Sequence, residues 1–227
     1  MYDHAPRRGG SMTMRTIMTL NSKGGCGKST LAMNTASFFA TTGNRVVLAD
    51  LDPQQSSLGW LSMRGSDRDP IIGVNAYEKG LRAPRDSDVM IIDAPAAVHG
   101  TELAALVKKA DTLIIPVLPS PLDMRACARF VEELLVVGKI SRQRTKMAVV
   151  ANRVRENTLI YQSLEAFLKK LRIPFVTTLR DSQNYIRAAQ RGVGIFELAP
   201  SAVEIDQEQW KPLLRWLRSK RSMPEEC

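Results

Sequence analysis

Two lysines, three glycines and two hydroxyl residues crowd into one short stretch, Lys23-Gly24-Gly25-Cys26-Gly27-Lys28-Ser29-Thr30. These types at this spacing suit one task, the holding of nucleotide phosphates. Phosphate oxygens are gripped by backbone N–H groups, and glycine lets the chain wrap closely enough to aim them inward. Lys28 is placed to reach the β- and γ-phosphates, and the Ser29 hydroxyl to ligate Mg²⁺. A helix beginning near Ser29 and Thr30 would add its positive dipole end. ATP and Mg²⁺ are the implied cofactors. Ser22 stands where the general loop pattern has its first glycine, and Lys23 adds a second lysine at the loop's start.

Carboxylates follow at two places. In Asp50-Leu51-Asp52-Pro53-Gln54, alternation sends Asp50 and Asp52 to the same side of an extended chain. A carboxylate here could orient an attacking water or hold Mg²⁺ through water. Asp50 alone reads equally well as a cap on the strand end. The apolar run Val89-Met90-Ile91-Ile92 ends in Asp93, then Ala94-Pro95, and Asp93 suits water-mediated Mg²⁺ binding. Asn152 follows the apolar stretch Lys146–Ala151. Its amide both donates and accepts, which suits an adenine edge; the alternative is a turn residue.

Short apolar strands are expected to position these groups: Arg15–Leu20, Arg45–Asp50, Val89–Asp93, Thr112–Pro116, Lys146–Ala151 and Phe175–Leu179. Helical periodicity falls between them at Ser29–Thr42, Glu102–Lys109, Met124–Gly138 and Leu159–Leu171. Strands apolar on both faces, alternating with helices, predict a doubly wound, mostly parallel α/β sheet with helices on both faces. Ligands sit at the carboxyl ends of such strands, where the motifs fall. Residues 14–221 read as a single domain. Residues 1–13 read as a flexible leader and 222–227 as a flexible tail.

The formal charge is +9 over 227 residues. Residues 1–138 hold 15 Lys+Arg against 14 Asp+Glu, and residues 139–227 hold 17 against 9, so +8 of the surplus lies in the later part. A basic face of this kind attracts nucleic acid or an anionic membrane, the plain alternative being a solvated surface, and DNA is the favoured reading. Candidate contacts are Arg153, Arg155, Arg180, Arg187, Arg191, Lys211, Arg215 and Arg218, with Lys220 and Arg221 beyond. Cys26, Cys127 and Cys227 form no CxxC pair, which excludes a disulfide framework and a zinc site. No apolar run reaches the ~18 residues of a membrane span.

Lys23–Thr30 closely resembles the deviant Walker A loop of ParA/MinD-family P-loop ATPases. Asp50–Gln54 resembles their DxDPQ motif and Asp93–Pro95 their Walker B strand end, although Ala96 stands where the family usually has a second proline. The likeness runs from about Arg15 to Pro200, nearest to short ParA-like positioning proteins. It implies that ATP joins two copies into a sandwich homodimer, with Lys23 crossing to the nucleotide of the other subunit. Lys23, Lys28 and Asp52 would then form the catalytic set, Asp52 positioning the hydrolytic water and Asn152 contacting adenine. Pro119–Asp123 resembles a segment near the dimer face. The dimer would bind DNA without sequence preference, Arg187 best matching the family position for phosphate contact. A ParB-like or cargo-adaptor protein would stimulate slow hydrolysis, spacing a plasmid, chromosome region or protein assembly over the nucleoid in the cytoplasm.

Three rivals share features. A MinD-like membrane ATPase needs a C-terminal amphipathic helix, and Trp210, Leu213, Leu214, Trp216 and Leu217 lie among basic residues. Packing of those tryptophans onto the sheet is the commoner use of such a stripe, and Pro212 is expected to break a long helix. An iron protein with an interfacial cluster needs two cysteines per subunit at one place, and only Cys127 is suitably placed. A DNA module using ATP only as glue would not need Asp52.

Overall fold

The computed structural model describes residues 14–140 and 145–224. Residues 1–13, expected as a leader, and 225–227 lie outside the described residues. Seven strands are seen: β1 (Arg15–Thr19), β2 (Val46–Asp50), β3 (Ile71–Asn75), β4 (Val89–Asp93), β5 (Thr112–Val117), β6 (Lys146–Val154) and β7 (Phe175–Arg180). They lie in the order β3-β2-β4-β1-β5-β6-β7. Every neighbouring pair is parallel. This is the doubly wound P-loop arrangement expected.

The helices are α1 (Lys28–Thr41), α2 (Ser56–Ser62), α3 (Ala76–Lys79), α4 (Gly100–Val107), α5 (Pro121–Ile140), α6 (Leu159–Leu168), α7 (Gln183–Ala189) and α8 (Pro200–Leu217). Alternation along the strands divides the core in two. Met18, Val47, Met90 and Ile92 pack with Leu103 of α4, Phe130 of α5 and Leu164 of α6. Ile17, Leu48 and Ile91 pack with Phe38 of α1, Trp60 of α2, Ala188 of α7 and Trp210 of α8. Strands β2, β4 and β5 are therefore buried throughout, as parallel strands covered on both faces must be.

Three expectations need correction. Edge strand β3 was not foreseen. Its Gly73 interrupts the apolar pattern because α2 packs close, a Cβ there meeting Leu61 Cδ2 at 2.7 Å. Helix α8 continues through Pro212 instead of breaking at it. A proline inside a helix costs about 3 kcal/mol, while Leu213, Leu214 and Leu217, all buried, each contribute roughly 1.5–3 kcal/mol, so packing outweighs the lost bond. The fold also extends past residue 221: Ser222 is fully buried. Its hydroxyl accepts from Arg15 Nη2 at 2.8 Å and its carbonyl from Thr112 Oγ1 at 2.6 Å.

Candidate functional site

The ends of β1, β4 and β2 lie side by side, since Thr19 and Asp50 are both register partners of Asp93. From the end of β1 the chain turns over the sheet edge into α1. Gly25 (φ 73°) and Gly27 (φ 96°) take left-handed conformations there, which glycine alone adopts without strain. Gly27 precedes α1, whose start carries no side-chain cap and no acidic residue. The orphan N–H groups of that first turn remain available to an anion. Lys28 is buried and its Nζ donates to the Lys23 carbonyl at 3.1 Å. The Lys23 side chain itself is exposed at the mouth of the loop.

Asp93 is 1% exposed, and among the described residues neither of its carboxylate oxygens has a hydrogen-bond partner of full geometry, although the Ser29 hydroxyl lies close by. Burial pushes its carboxyl up to about 7; the neighbouring Ser29 hydroxyl and Lys28 offset part of that rise, while Asp50 and Asp52 add to it. Buried polar atoms in native proteins are nearly always satisfied. Two orphaned carboxylate oxygens beside a hydroxyl fit a hydrated divalent cation such as Mg²⁺.

The two carboxylates of the β2 turn differ in environment. Asp50 is fully buried and accepts from Asp52 N (2.9 Å), Ser57 N (3.0 Å), Ser57 Oγ (2.7 Å) and Leu58 N (3.3 Å). It caps the start of α2 and shapes the turn, which favours the cap reading. Asp52 is only half-buried, with one oxygen accepting from Gln54 N at 2.9 Å. The loop after β4 is joined to the phosphate loop by a bond from Ala97 N to Ser22 O at 2.9 Å.

Two asparagines brace the phosphate loop. Asn21, which the sequence did not single out, donates to Pro116 O at 2.6 Å and accepts from Lys23 N at 3.1 Å. Asn152 lies inside β6, so the turn reading is corrected. It is 5% exposed and its Nδ2 donates to Cys26 O at 2.8 Å. Cys26 is buried in the loop, with burial raising its thiol pKa. Pro121, Leu122 and Asp123 open α5, Leu122 being exposed.

The residue profile of the CobQ/CobB/MinD/ParA nucleotide binding domain matches residues 17–195. The chain belongs to that family. A "Maintenance of carboxysome distribution protein A" from Gloeobacter kilaueensis is 31% identical over 193 residues, covering 81% of this chain and 84% of the relative. Its namesake from Halothiobacillus neapolitanus is 28% identical over 203 residues, covering 85% and 93%. The chromosome-partitioning ATPase Soj of Thermus thermophilus is 27% identical, covering 69% and 76%. Among solved structures, apo McdA from Cyanothece superposes with a TM-score of 0.71 at 19% identity, covering 89% of this chain and all of that one. A chain of the MinC:MinD cell division protein complex of Aquifex aeolicus superposes with a TM-score of 0.70 at 16% identity, covering 94% of this chain and 99% of that one. These two likenesses describe the fold of this family member.

The candidate DNA contacts do not gather on one face. Arg153 and Arg155 flank Asp181, at 3.6 and 3.4 Å, by the carboxyl ends of β6 and β7. Arg187 on α7 and Arg191 just after it are exposed. Arg180 is committed elsewhere: it donates to the fully buried Asp206 at 2.7 and 3.1 Å. Lys211 pairs with Glu208. Arg215 and Arg218 are exposed at the end of α8, where Leu217 O accepts from Arg15 at the amino-terminal start of the central strand β1.

Proposed function

We propose that the chain is a ParA-type positioning ATPase that hydrolyses ATP with Mg²⁺ and is itself moved between a DNA-bound dimer and a free state. The observation that carries this reading is the pairing of an exposed Lys23 at the loop mouth with an orphaned, buried Asp93 beside Ser29. Gly24–Thr30 would wrap the phosphates, Lys28 would neutralise the β- and γ-phosphates, and Ser29 and Asp93 would hold Mg²⁺, with Asp52 reaching it through water. The metal's share is to offset phosphate charge. Asp52, half-exposed and free of the bonds that commit Asp50, is the group able to orient a water toward the γ-phosphate.

Exposed Lys23 suits contact with a nucleotide held by a second copy, which would make the homodimer ATP-dependent. Arg153, Arg155, Arg187 and Arg191 form the part of the basic set best placed for non-specific duplex DNA, with Arg215 and Arg218 as a separate patch. The carboxysome and chromosome relatives support a cargo-spacing role in the cytoplasm over the nucleoid, with a ParB-like or adaptor protein stimulating hydrolysis. A membrane reading is disfavoured because Trp210, Leu213, Leu214 and Leu217 are buried against the sheet, and no helix among the described residues is long and apolar enough to cross a membrane. Fluorescence titration of Lys28→Ala with ATP tests the site: affinity should be lost, and near-wild-type binding would refute the assignment.

A further inference from the structure

The last turns of β6 contain a defect whose effect is local and specific. Ala151 is level with Thr178 of β7, but Val154 is level with Arg180. Asn152 and Arg153 therefore oppose the single residue Leu179, which defines a β-bulge. Arg153 takes φ 52°, a left-handed conformation that a non-glycine residue adopts only under strain. Bulges next to sites commonly re-aim a side chain. Here Asn152 is brought beneath the phosphate loop, its Nδ2 2.8 Å from Cys26 O. The fit is close: a Cβ on Gly27 would lie 2.1 Å from that nitrogen.

The bonded carbonyl belongs to the Cys26–Gly27 peptide. That unit is planar and trans, so its C=O and N–H point in opposite directions. Pinning the oxygen against β6 fixes the Gly27 N–H away from β6. Left to rotate, this peptide could turn its carbonyl toward an anion and repel it. Asn21 braces the other end of the loop through Lys23 N and Pro116 O, leaving the Cys26–Gly27 unit to Asn152.

We propose that Asn152 is a positioning residue that presets the phosphate loop, so that its loss weakens every triphosphate alike and leaves base selectivity unchanged. This rests on the reading of Gly24–Thr30 as the phosphate site and departs from adenine contact as the role of Asn152. Among the described residues this carbonyl has no other hydrogen-bond partner, and a buried polar group left unmet is costly. The expected loss in affinity is thus roughly tenfold.

The test measures ATP, GTP and inorganic tripolyphosphate binding, by competition with a fluorescent ATP analogue, for wild type, Asn152→Ala and Asn152→Leu. Leucine preserves the side-chain volume, so one variant retains the packing if alanine loosens it, and thermal melts report folding. A common factor of loss across all three ligands, in a variant that still melts cooperatively, is expected. Loss of ATP binding alone, with GTP and tripolyphosphate unchanged, would restore adenine contact and overturn the proposal, as would no loss at all. Lys28→Ala run beside them separates the two claims: if it leaves tripolyphosphate binding intact, the phosphate site itself is misassigned.

Discussion

The indole N–H of Trp60 donates to the backbone carbonyl of Val193 at 3.2 Å, tying α2 to the segment that carries Arg191. A second tie lies beside it. The Arg64 guanidinium reaches Glu197 Oε1 at 2.7 Å, Oε2 at 2.9 Å and Gly192 O at 3.2 Å. Both side chains of this ion pair are at least 96% buried, and Glu197 also accepts from Ser37 Oγ at 2.6 Å. The helix that follows the Asp50–Asp52 turn is thereby held to both α1 and the basic segment after α7. Removing one partner of a buried pair leaves the other charge uncompensated. Arg64→Ala should lower unfolding free energy by about 3–5 kcal/mol in a denaturant titration, whereas Arg45→Ala, which breaks the exposed Arg45–Asp86 and Arg45–Asp88 pairs, should change it little.

The same pair predicts an acid limit. Burial alone would raise the Glu197 carboxyl, but the Arg64 guanidinium, the Gly194 N–H and the Ser37 hydroxyl outweigh it and hold the value below the ordinary 4.5. A carboxylate depressed in the folded state contributes stability fully present above its unfolded pKa and lost as pH falls through its folded one. Stability measured from pH 6 down to pH 3 should decline below about 4.5. Glu197→Gln should flatten that decline; an unaltered acid profile would remove Glu197 as its source.

Lys23 makes no ion pair among the described residues and is exposed. Lys23→Ala should therefore keep ATP affinity within about twofold while losing the nucleotide-dependent dimer, since an exposed point charge contributes little within its own subunit. Sedimentation velocity with a non-hydrolysable ATP analogue distinguishes the cases. A wild-type dimer in the variant would leave Lys23 a solvated surface residue.

Much of the site could be read along the chain because its parts are local. The glycines, Lys28 and Ser29 are consecutive, and Asp93 closes an apolar run that forms a central strand. What escaped depends on long-range partners. Asn21 acts through Pro116, 95 positions away, and Arg64 through Glu197, 133 away. Arg180 looked like a surface cation until folding brought Asp206 to it. The bulge that aims Asn152 has no signature of its own, because Arg153 is not a residue type that announces a left-handed turn. Pro212 misled for the opposite reason: a strong local signal was overridden by burial of the leucines that follow it.

Asp52 and Asp50 make opposite predictions. Asp52→Ala should cut steady-state ATP turnover at least tenfold while preserving nucleotide binding, because on the proposed reading the water-orienting group is lost and the phosphate loop is untouched. Asp50→Ala should instead lower the melting temperature, since it strips α2 of the carboxylate that receives Ser57 and Leu58. Coupled-enzyme turnover and thermal melts on both variants check this; unchanged turnover in Asp52→Ala would contradict its role.

The central claim is that ATP creates a DNA-binding dimer, and interferometry on immobilised duplexes of unrelated sequence tests it most directly. With ATP the wild-type protein should bind each duplex similarly, weaken steeply as salt rises through counterion release, and lose binding at least tenfold with ADP because a single subunit offers half the contacts. Arg187→Glu should weaken binding to every duplex while sparing ATP affinity. Equal binding with ATP and ADP, or stronger competition by anionic vesicles than by DNA, would contradict the account.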